Sequence, residues 1–234
     1  MVSFQGFIGA IAVGELTANG GKPFFNVRHV LGSGFIVDPV RGVGVTNHHV
    51  LPEAFWPSQV AFYTLGPDGS WRAHILHPEG YARMPAHDVV RFRVITPSSG
   101  TPLRTYPFHT GELKLSVPVS ALGLPRDLMA DPSGPISVTI RAQTGHVVSG
   151  YHDDIEVDVP FIQGMSGSPV VAGDRIVGIA YRNRQYALEQ RILESEEVSE
   201  GDGVTRREVH RYEEVLRFGV FYKAKIIKDW LQLP

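Results

Sequence analysis

The sequence predicts an all-β protein, and three observations carry that reading. Seventeen prolines and 25 glycines are spread through 234 residues, a punctuation that fits many short strands and turns better than a helical bundle. Apolar runs are short and often alternate with polar residues, as in Ile155-Glu156-Val157-Asp158-Val159, the period of a half-buried strand. A clear apolar helical face appears only near the C-terminus. The length suits one large all-β unit or two small sub-domains sharing a cleft, and it is enough to bury a substantial core.

Taken in order, Phe4 to Val13 is apolar and rich in β-formers, which predicts a first strand. Glu15 to Lys22, with Asn19-Gly20-Gly21, reads as a turn. Phe24 to His29 and Gly34 to Val37 read as two strands broken at Gly32-Ser33. Gly42 to Thr46 is a short strand leading into Asn47-His48-His49-Val50-Leu51, and Pro52-Glu53-Ala54 suits the first turn of a short helix, where proline is tolerated. Val60 to Leu65, Trp71 to His77 and Val89 to Val94 continue the rhythm. Pro97-Ser98-Ser99-Gly100-Thr101-Pro102 breaks it and predicts a linker between sub-domains at 1–100 and 101–234.

The second half repeats the pattern at Val117 to Leu122, Ile136 to Val148, Ile155 to Val159, Ser168 to Val171 and Ile176 to Tyr181. Residues 187–217 depart from it, acidic from Ala187 to Glu200 and mixed in charge afterwards. Charge runs of this kind are usually solvated, and either helix or a long exposed hairpin fits them. Ile226, Ile227, Trp230 and Leu231 recur at i, i+1, i+4 and i+5, a helical face suited to docking on a barrel.

Composition excludes several functions. Hydrophobic content of 43% and charged content of 20% are those of a soluble globular chain. A net charge of −2 gives no field to attract nucleic acid or an anionic membrane. There are no cysteines, so a thiol nucleophile, a thiolate metal site and a disulfide framework are all excluded. No apolar run reaches the length of a bilayer span, and the start, Met1-Val2-Ser3-Phe4-Gln5-Gly6, has no basic signal-peptide region. Cytoplasmic residence is the expectation.

Chemistry concentrates at Gln163-Gly164-Met165-Ser166-Gly167-Ser168-Pro169, between two apolar runs. A serine flanked by glycines in a tight turn can project its hydroxyl while backbone passes close to a ligand, because Gly164 has no Cβ. The N–H groups of Gly164 and Ser166 are then placed to converge as an oxyanion hole. An ordinary Gly/Ser-rich hairpin fits the same short pattern. A serine hydroxyl is a poor nucleophile until a base takes its proton, and imidazole is the usual base. That base needs a carboxylate on its other nitrogen. Thr46-Asn47-His48-His49-Val50 supplies histidines after a strand, and His87-Asp88-Val89-Val90 supplies an aspartate at the head of another. The same His48, His49, His87 and Asp88 also admit a metal cluster, but adjacent pairs rarely converge on one ion, and no metal site is expected.

These residues carry a resemblance. The sequence resembles the trypsin-like serine peptidases, closest in style to bacterial HtrA/Deg protease domains. Gly32-Ser33-Gly34-Phe35-Ile36-Val37 is similar to their G-S-G-F-I strand, and Thr46-Asn47-His48-His49-Val50 to T-N-x-H-V. Asp88-Val89-Val90 is similar to the D-[IL]-A strand, and Gly164-Met165-Ser166-Gly167-Ser168-Pro169 to G-x-S-G-[GS]-P. Phe218-Gly219-Val220-Phe221-Tyr222-Lys223 with Trp230 resembles the G-V-Y-T-K-V…W ending. The resemblance implies two six-stranded antiparallel β-barrels with a C-terminal helix and the cleft between them. It implies His49 as base, Asp88 as orienting acid and Ser166 as nucleophile, with His48 and His87 as bystanders. No cofactor is implied.

The resemblance also implies Pro160, Phe161, Ile162 and Gln163 as one wall of the primary specificity pocket. Tyr181, Arg182 and Asn183 form its other edge, and Gly219 leaves it open. With no carboxylate there, apolar or small uncharged side chains are expected at P1. Met165 stands where many relatives hold an aspartate that pairs with a freed N-terminus, so activation by N-terminal processing is not expected, and the oxyanion loop is left without that anchor. The chain stops at Pro234, so no PDZ domain is expected to follow. The expected activity is a serine endopeptidase acting on a restricted protein or peptide substrate, with one dedicated target as a possibility. The alternatives are a catalytically silent domain that binds a partner in the cleft, or an esterase or transacylase using the same triad.

Overall fold

The computed structural model describes residues 4–19, 22–51, 53, 59–95, 102–124, 139–199 and 205–233. Seven strands come first: β1 (Ile8–Asn19), β2 (Lys22–Asp38), β3 (Val43–Thr46), β4 (Val60–Leu65), β5 (Trp71–Ile75), β6 (Ala82–Arg83) and β7 (Val90–Arg93). They form one antiparallel sheet in the order β5-β4-β1-β2-β3-β7-β6. Its ends meet, because Leu76 bridges Val94 while Ile95 N–H donates to the Ile75 carbonyl and His77 N–H to the Arg93 carbonyl, both at 2.7 Å. Six strands thus close on themselves through a short bridge rather than a full ladder, and the two-residue β6 is a seventh strand added on β7.

The second half contributes β8 (Pro118–Gly123), β9 (Arg141–Tyr151), β10 (Asp154–Val157), β11 (Pro169–Ala172), β12 (Arg175–Ser199) and β13 (Thr205–Lys223), followed by the helix α1 (Ala224–Leu231). These strands make a closed six-stranded barrel in the order β10-β13-β12-β11-β8-β9. The all-β, trypsin-like architecture expected from the sequence is what the chain adopts, with one α-helix among the described residues, near the C-terminal end.

Alternation explains how each strand is used. In β7, Val90 and Phe92 are fully buried while Arg91 and Arg93 are partly exposed. Phe92 joins Ile11, Ile36 and Phe62 inside the first sheet. Val119, Val147, Val157, Val177 and Phe221 fill the second barrel. A third cluster draws on both halves, with Phe7, Phe35 and Val45 from the first and Val171, Ile179 and Tyr222 from the second. Ala224 and Ile227 of α1 are buried in that same cluster. The seam between the two sheets is therefore apolar core, sealed by the helix.

Several boundaries differ from the sequence reading, each for a physical reason. β1 and β2 form one long hairpin paired from Ile8↔Phe35 to Asn19↔Lys22, so Glu15 to Asn19 is strand rather than turn. Gly32-Ser33 does not break β2, because Gly32 pairs with Ile11 and Ser33 with Ala10, and the irregularity is a bulge at the neighbouring Leu31 that the ladder absorbs. Residues 187–199 and 205–217 are strand rather than helix. β12 and β13 continue past the barrel as an antiparallel ribbon whose ladder runs to Ser199↔Thr205. The expected helical turn at Pro52 and Ala54, the tip Gly20-Gly21, the start of the Ile136 strand and the linker at 97–101 lie outside the described residues.

Candidate active site

Each residue of Thr46-Asn47-His48-His49-Val50 has an identifiable task. The Thr46 hydroxyl donates to the Ser33 carbonyl at 2.6 Å. The Asn47 side-chain amide donates to the Asp88 carbonyl at 2.8 Å, and the Asn47 carbonyl accepts the N–H groups of Val50 and Leu51, each at 3.1 Å, closing one turn. Val50 is buried against Gly32, where a Cβ would stand 2.8 Å from its methyl. That turn aims His49 outward.

Asp88 meets His49 twice. One carboxylate oxygen accepts the His49 backbone N–H at 3.1 Å, and the other is bonded to ring Nδ1. His48 donates its backbone N–H to the Asp88 carbonyl at 3.3 Å, and its ring adds a small electrostatic effect on the carboxylate. Burial alone raises the Asp88 carboxyl, but the hydrogen bond and charge of the His49 ring, with the His49 N–H, outweigh it and hold the group below its ordinary value. An ionised carboxylate only accepts, so in the neutral ring Nδ1 carries the proton and Nε2, which makes no hydrogen bond among the described residues, is the acceptor. The Asp88 N–H lies 3.4 Å from the Tyr222 hydroxyl of the second barrel. Tyr222 stacks on Tyr181 with ring centroids 3.9 Å apart, and the Tyr181 hydroxyl donates to Asp154 at 2.9 Å. Burial raises the pKa of both phenols.

His87 is more than a bystander. Its Nε2 lies 3.2 Å from Asp153, in the turn between β9 and β10, and its ring meets Tyr222 edge-on at 5.1 Å. It ties the loop carrying Asp88 to the second barrel.

The serine turn is held from the first sheet. Ser33 N–H donates to the Ser166 carbonyl at 2.9 Å, and the Ser33 hydroxyl donates to the Gly164 carbonyl at 3.0 Å while accepting Leu124 N–H at 2.9 Å. Gly164 and Gly167 have φ of 92° and 82°, a region that favours glycine. At Gly167 a Cβ would stand 2.1 Å from the Ser33 carbonyl oxygen and 2.3 Å from the Thr46 hydroxyl. The Gly164 and Ser166 N–H groups donate to no acceptor among the described residues. Ser166 is partly exposed, and no hydrogen bond joins its hydroxyl to His49 among the described residues.

Met165 anchors the serine turn by packing rather than by charge. It cannot form the ion pair of an aspartate, yet the loop does not lack an anchor. Its side chain is 0% exposed and packs with Val119, Val147, Val157 and Phe221 inside the second barrel. Full burial of such a side chain contributes about 1.5–3 kcal/mol. Its N–H also donates to the Ile162 carbonyl at 3.0 Å.

Beside Ser166 lies a cavity of about 210 Å³, lined by Phe161, Ile162, Gln163 and Ser166 on one side and Tyr181, Arg182 and Asn183 on the other. Asn183 clamps the Phe161 backbone, accepting its N–H at 2.6 Å and donating to its carbonyl at 2.8 Å. Gln143 holds the flanking residues, donating to the Pro160 carbonyl and accepting Ile162 N–H at 3.3 Å. Pro160 and Gly219 are not among the lining residues. A Cβ on Gly219 would stand 2.9 Å from the Phe161 ring and 2.6 Å from the Val159 carbonyl oxygen, so glycine there admits Phe161 rather than opening the cavity. Arg182 is drawn toward Asp154 at 3.3 Å and lies over the Tyr181 ring.

The sequence reading missed Ser33 and Gln143 as supports, and of the two only Ser33 had a signal, its place in the Gly32-Ser33-Gly34 motif; Asn183, read as a pocket edge, also clamps the Phe161 backbone.

Two sheets with the Asp88–His49 pair on one and the Ser166 turn on the other define the trypsin-like fold. Residues 32–179 match the model of the trypsin-like peptidase domain, and the chain belongs to that family. No curated protein matches the sequence. Among solved structures, the HtrA-type protease AlgW with decapeptide is similar, with a TM-score of 0.59 and 15% identity over 97% of this chain. The chain spans 63% of the length of that structure. No helix among the described residues is long and apolar enough to cross a membrane.

Proposed function

We propose that the chain is a serine endopeptidase working through an acyl-enzyme. His49 Nε2 takes the proton of the Ser166 hydroxyl as it attacks a peptide carbonyl. Asp88 holds the ring and stabilises the imidazolium, and the N–H groups of Gly164 and Ser166 receive the oxyanion. His49 then returns its proton to the leaving amine, and water repeats the cycle to release the acid. No cofactor enters these steps. The observation that carries the reading is the Asp88–His49 pair, in which Nε2 makes no hydrogen bond among the described residues, and the serine turn supports it with two N–H donors that have no partner among them.

A peptide substrate is supported by the decapeptide in the AlgW structure. The cavity beside Ser166 holds no carboxylate, and its one guanidinium is engaged by Asp154, so apolar or small uncharged side chains are proposed at P1. One dedicated protein target remains part of the proposal. Cleavage profiling of a peptide library in which Lys or Arg dominated at P1 would remove the specificity claim.

The missing Ser166–His49 hydrogen bond favours a second reading, a silent domain that binds a peptide in the cleft. Such bonds are also long in resting enzymes and tighten on binding. Fluorophosphonate labelling separates the two. Wild type is expected to label, whereas Ser166→Ala and His49→Ala are not, since loss of either residue lowers turnover by about a million-fold. Correctly folded wild type that does not label would leave either a dormant enzyme awaiting an activator or the binding module. Peptide turnover by a labelled enzyme separates a peptidase from an esterase or transacylase.

A further inference from the structure

Two arginines on the outer face of β7 take no part in the candidate active site. Arg91 and Arg93 alternate with the buried Val90 and Phe92, so both point away from the interior of the first sheet. They line a cavity of about 330 Å³ whose other wall includes Leu231, at the end of α1, and Leu233 beyond it. Neither guanidinium makes a hydrogen bond or ion pair among the described residues.

The other charged groups at this cavity do not neutralise them. Asp38 is taken up by its own turn, where one oxygen accepts the N–H groups of Val40 and Arg41, each at 3.0 Å, and the other faces Arg41 Nε at 3.6 Å. Glu79 is exposed at the rim and within salt-bridge distance of neither arginine. The backbone and Cβ of Arg93 are also fixed in place. A Cβ on Gly80 would stand 2.7 Å from Arg93 Cβ, and the Arg93 carbonyl accepts His77 N–H at 2.7 Å.

Two guanidiniums held in one concavity repel each other, and an anion entering between them replaces that repulsion with charge-assisted hydrogen bonds. Their planar forks match the oxygens of carboxylate or phosphate. The leucines and Val43 offer an apolar surface to whatever carries the anion. We propose that this cavity binds an anionic ligand, a carboxylate or phosphate group borne on an apolar body.

The test is a titration of the full chain, read at the arginine Nε–Hε resonances, with octanoate, octyl phosphate and inorganic phosphate at constant ionic strength. Saturable shifts at Arg91 and Arg93 are expected with at least one alkyl probe. The combined Arg91→Gln and Arg93→Gln variant should weaken binding by about tenfold or more, and Leu233→Ser should weaken the alkyl probes while sparing inorganic phosphate. A response to octanoate alone assigns a carboxylate ligand, and one to octyl phosphate alone a phosphoryl ligand. No saturable shift with any probe overturns the site, as does unchanged affinity in the folded double variant. If that variant loses its native amide spectrum, the wild-type titration still decides, because a response confined to other residues also overturns it. None of these readouts depends on peptidase activity, so the proposed function and this site fail separately.

Discussion

Ser33 carries more of the candidate site than its size suggests. It is fully buried, and its hydroxyl connects the Gly164 carbonyl to the Leu124 N–H while its own N–H holds the Ser166 carbonyl. Fixing the Gly164 carbonyl fixes the peptide plane that precedes Met165, and with it the conformation of the turn. Ser33→Ala leaves a buried N–H without its partner, which costs about 1–3 kcal/mol. The expected signature is a fall in kcat on the order of tenfold with little change in KM, smaller than outright loss of an oxyanion donor. Steady-state kinetics on a peptide ester checks it, and an equal loss in both constants would point to general destabilisation instead. His74 offers a second residue-scale prediction. It is 1% exposed, bonded to Thr64 at 2.8 Å, and burial, helped by the Arg72 charge, lowers its pKa to about 4. The unfolded chain binds that proton near pH 6.5, so the unfolded state takes it up first. The stability from neutral His74 is complete above that value and drains away as the pH falls toward 4. Wild type should lose up to about 3 kcal/mol more than His74→Gln between pH 7 and pH 4. Parallel denaturant-midpoint profiles for the two proteins would refute it.

At the scale of elements, what was legible depended on whether the signal was local. The apolar run Val60–Leu65 and the glycines around Ser166 are local signals, and both strand and turn stand where they were read. The helical face at Ala224–Leu231 was legible for the same reason, and Gln232 in the left-handed region ends it. The extent of β1, β2, β12 and β13 was not legible, because a strand continues as far as a partner pairs with it, and pairing is not written in either strand alone. Gly32-Ser33 looked like a break because the residues that hold it, Thr46 and the Ser166 turn, lie 13 and 133 positions away. The β12–β13 ribbon carries a prediction of its own. An isolated two-stranded hairpin is marginally stable at best, so the part beyond Tyr186↔Leu216 should add little to the fold. Replacing residues 187–215 with Asn-Gly, which favours a tight hairpin turn, should leave the melting temperature within a few degrees and fluorophosphonate labelling intact. Collapse of either would show that the ribbon braces the barrel or the serine turn.

The whole molecule is decided at the seam, the part least legible in the sequence. Order along the chain told which segments had to meet, but not that the meeting surface would be core. Phe7, Phe35 and Val45 belong to one sheet and Val171, Ile179 and Tyr222 to the other, yet they form a single buried cluster that α1 closes with Ile227. Two units joined by a polar interface tend to unfold separately, whereas shared core couples them. The slowest-exchanging amides of β2 and of β12 should therefore share one opening free energy. Ile227→Ala removes a fully buried side chain from the end of the chain, which costs about 2–5 kcal/mol. If the seam couples the halves, that loss appears equally in β2, although Ile227 belongs to the element farthest from it in sequence. Native-state hydrogen exchange reads both strands in one experiment. Protection lost in β12 but kept in β2 would mean that the first sheet stands without the second. Equal loss would mean that the Asp88–His49 pair and the Ser166 turn are held in register by one cooperative unit, so mutations far from the cleft should alter its geometry through the seam.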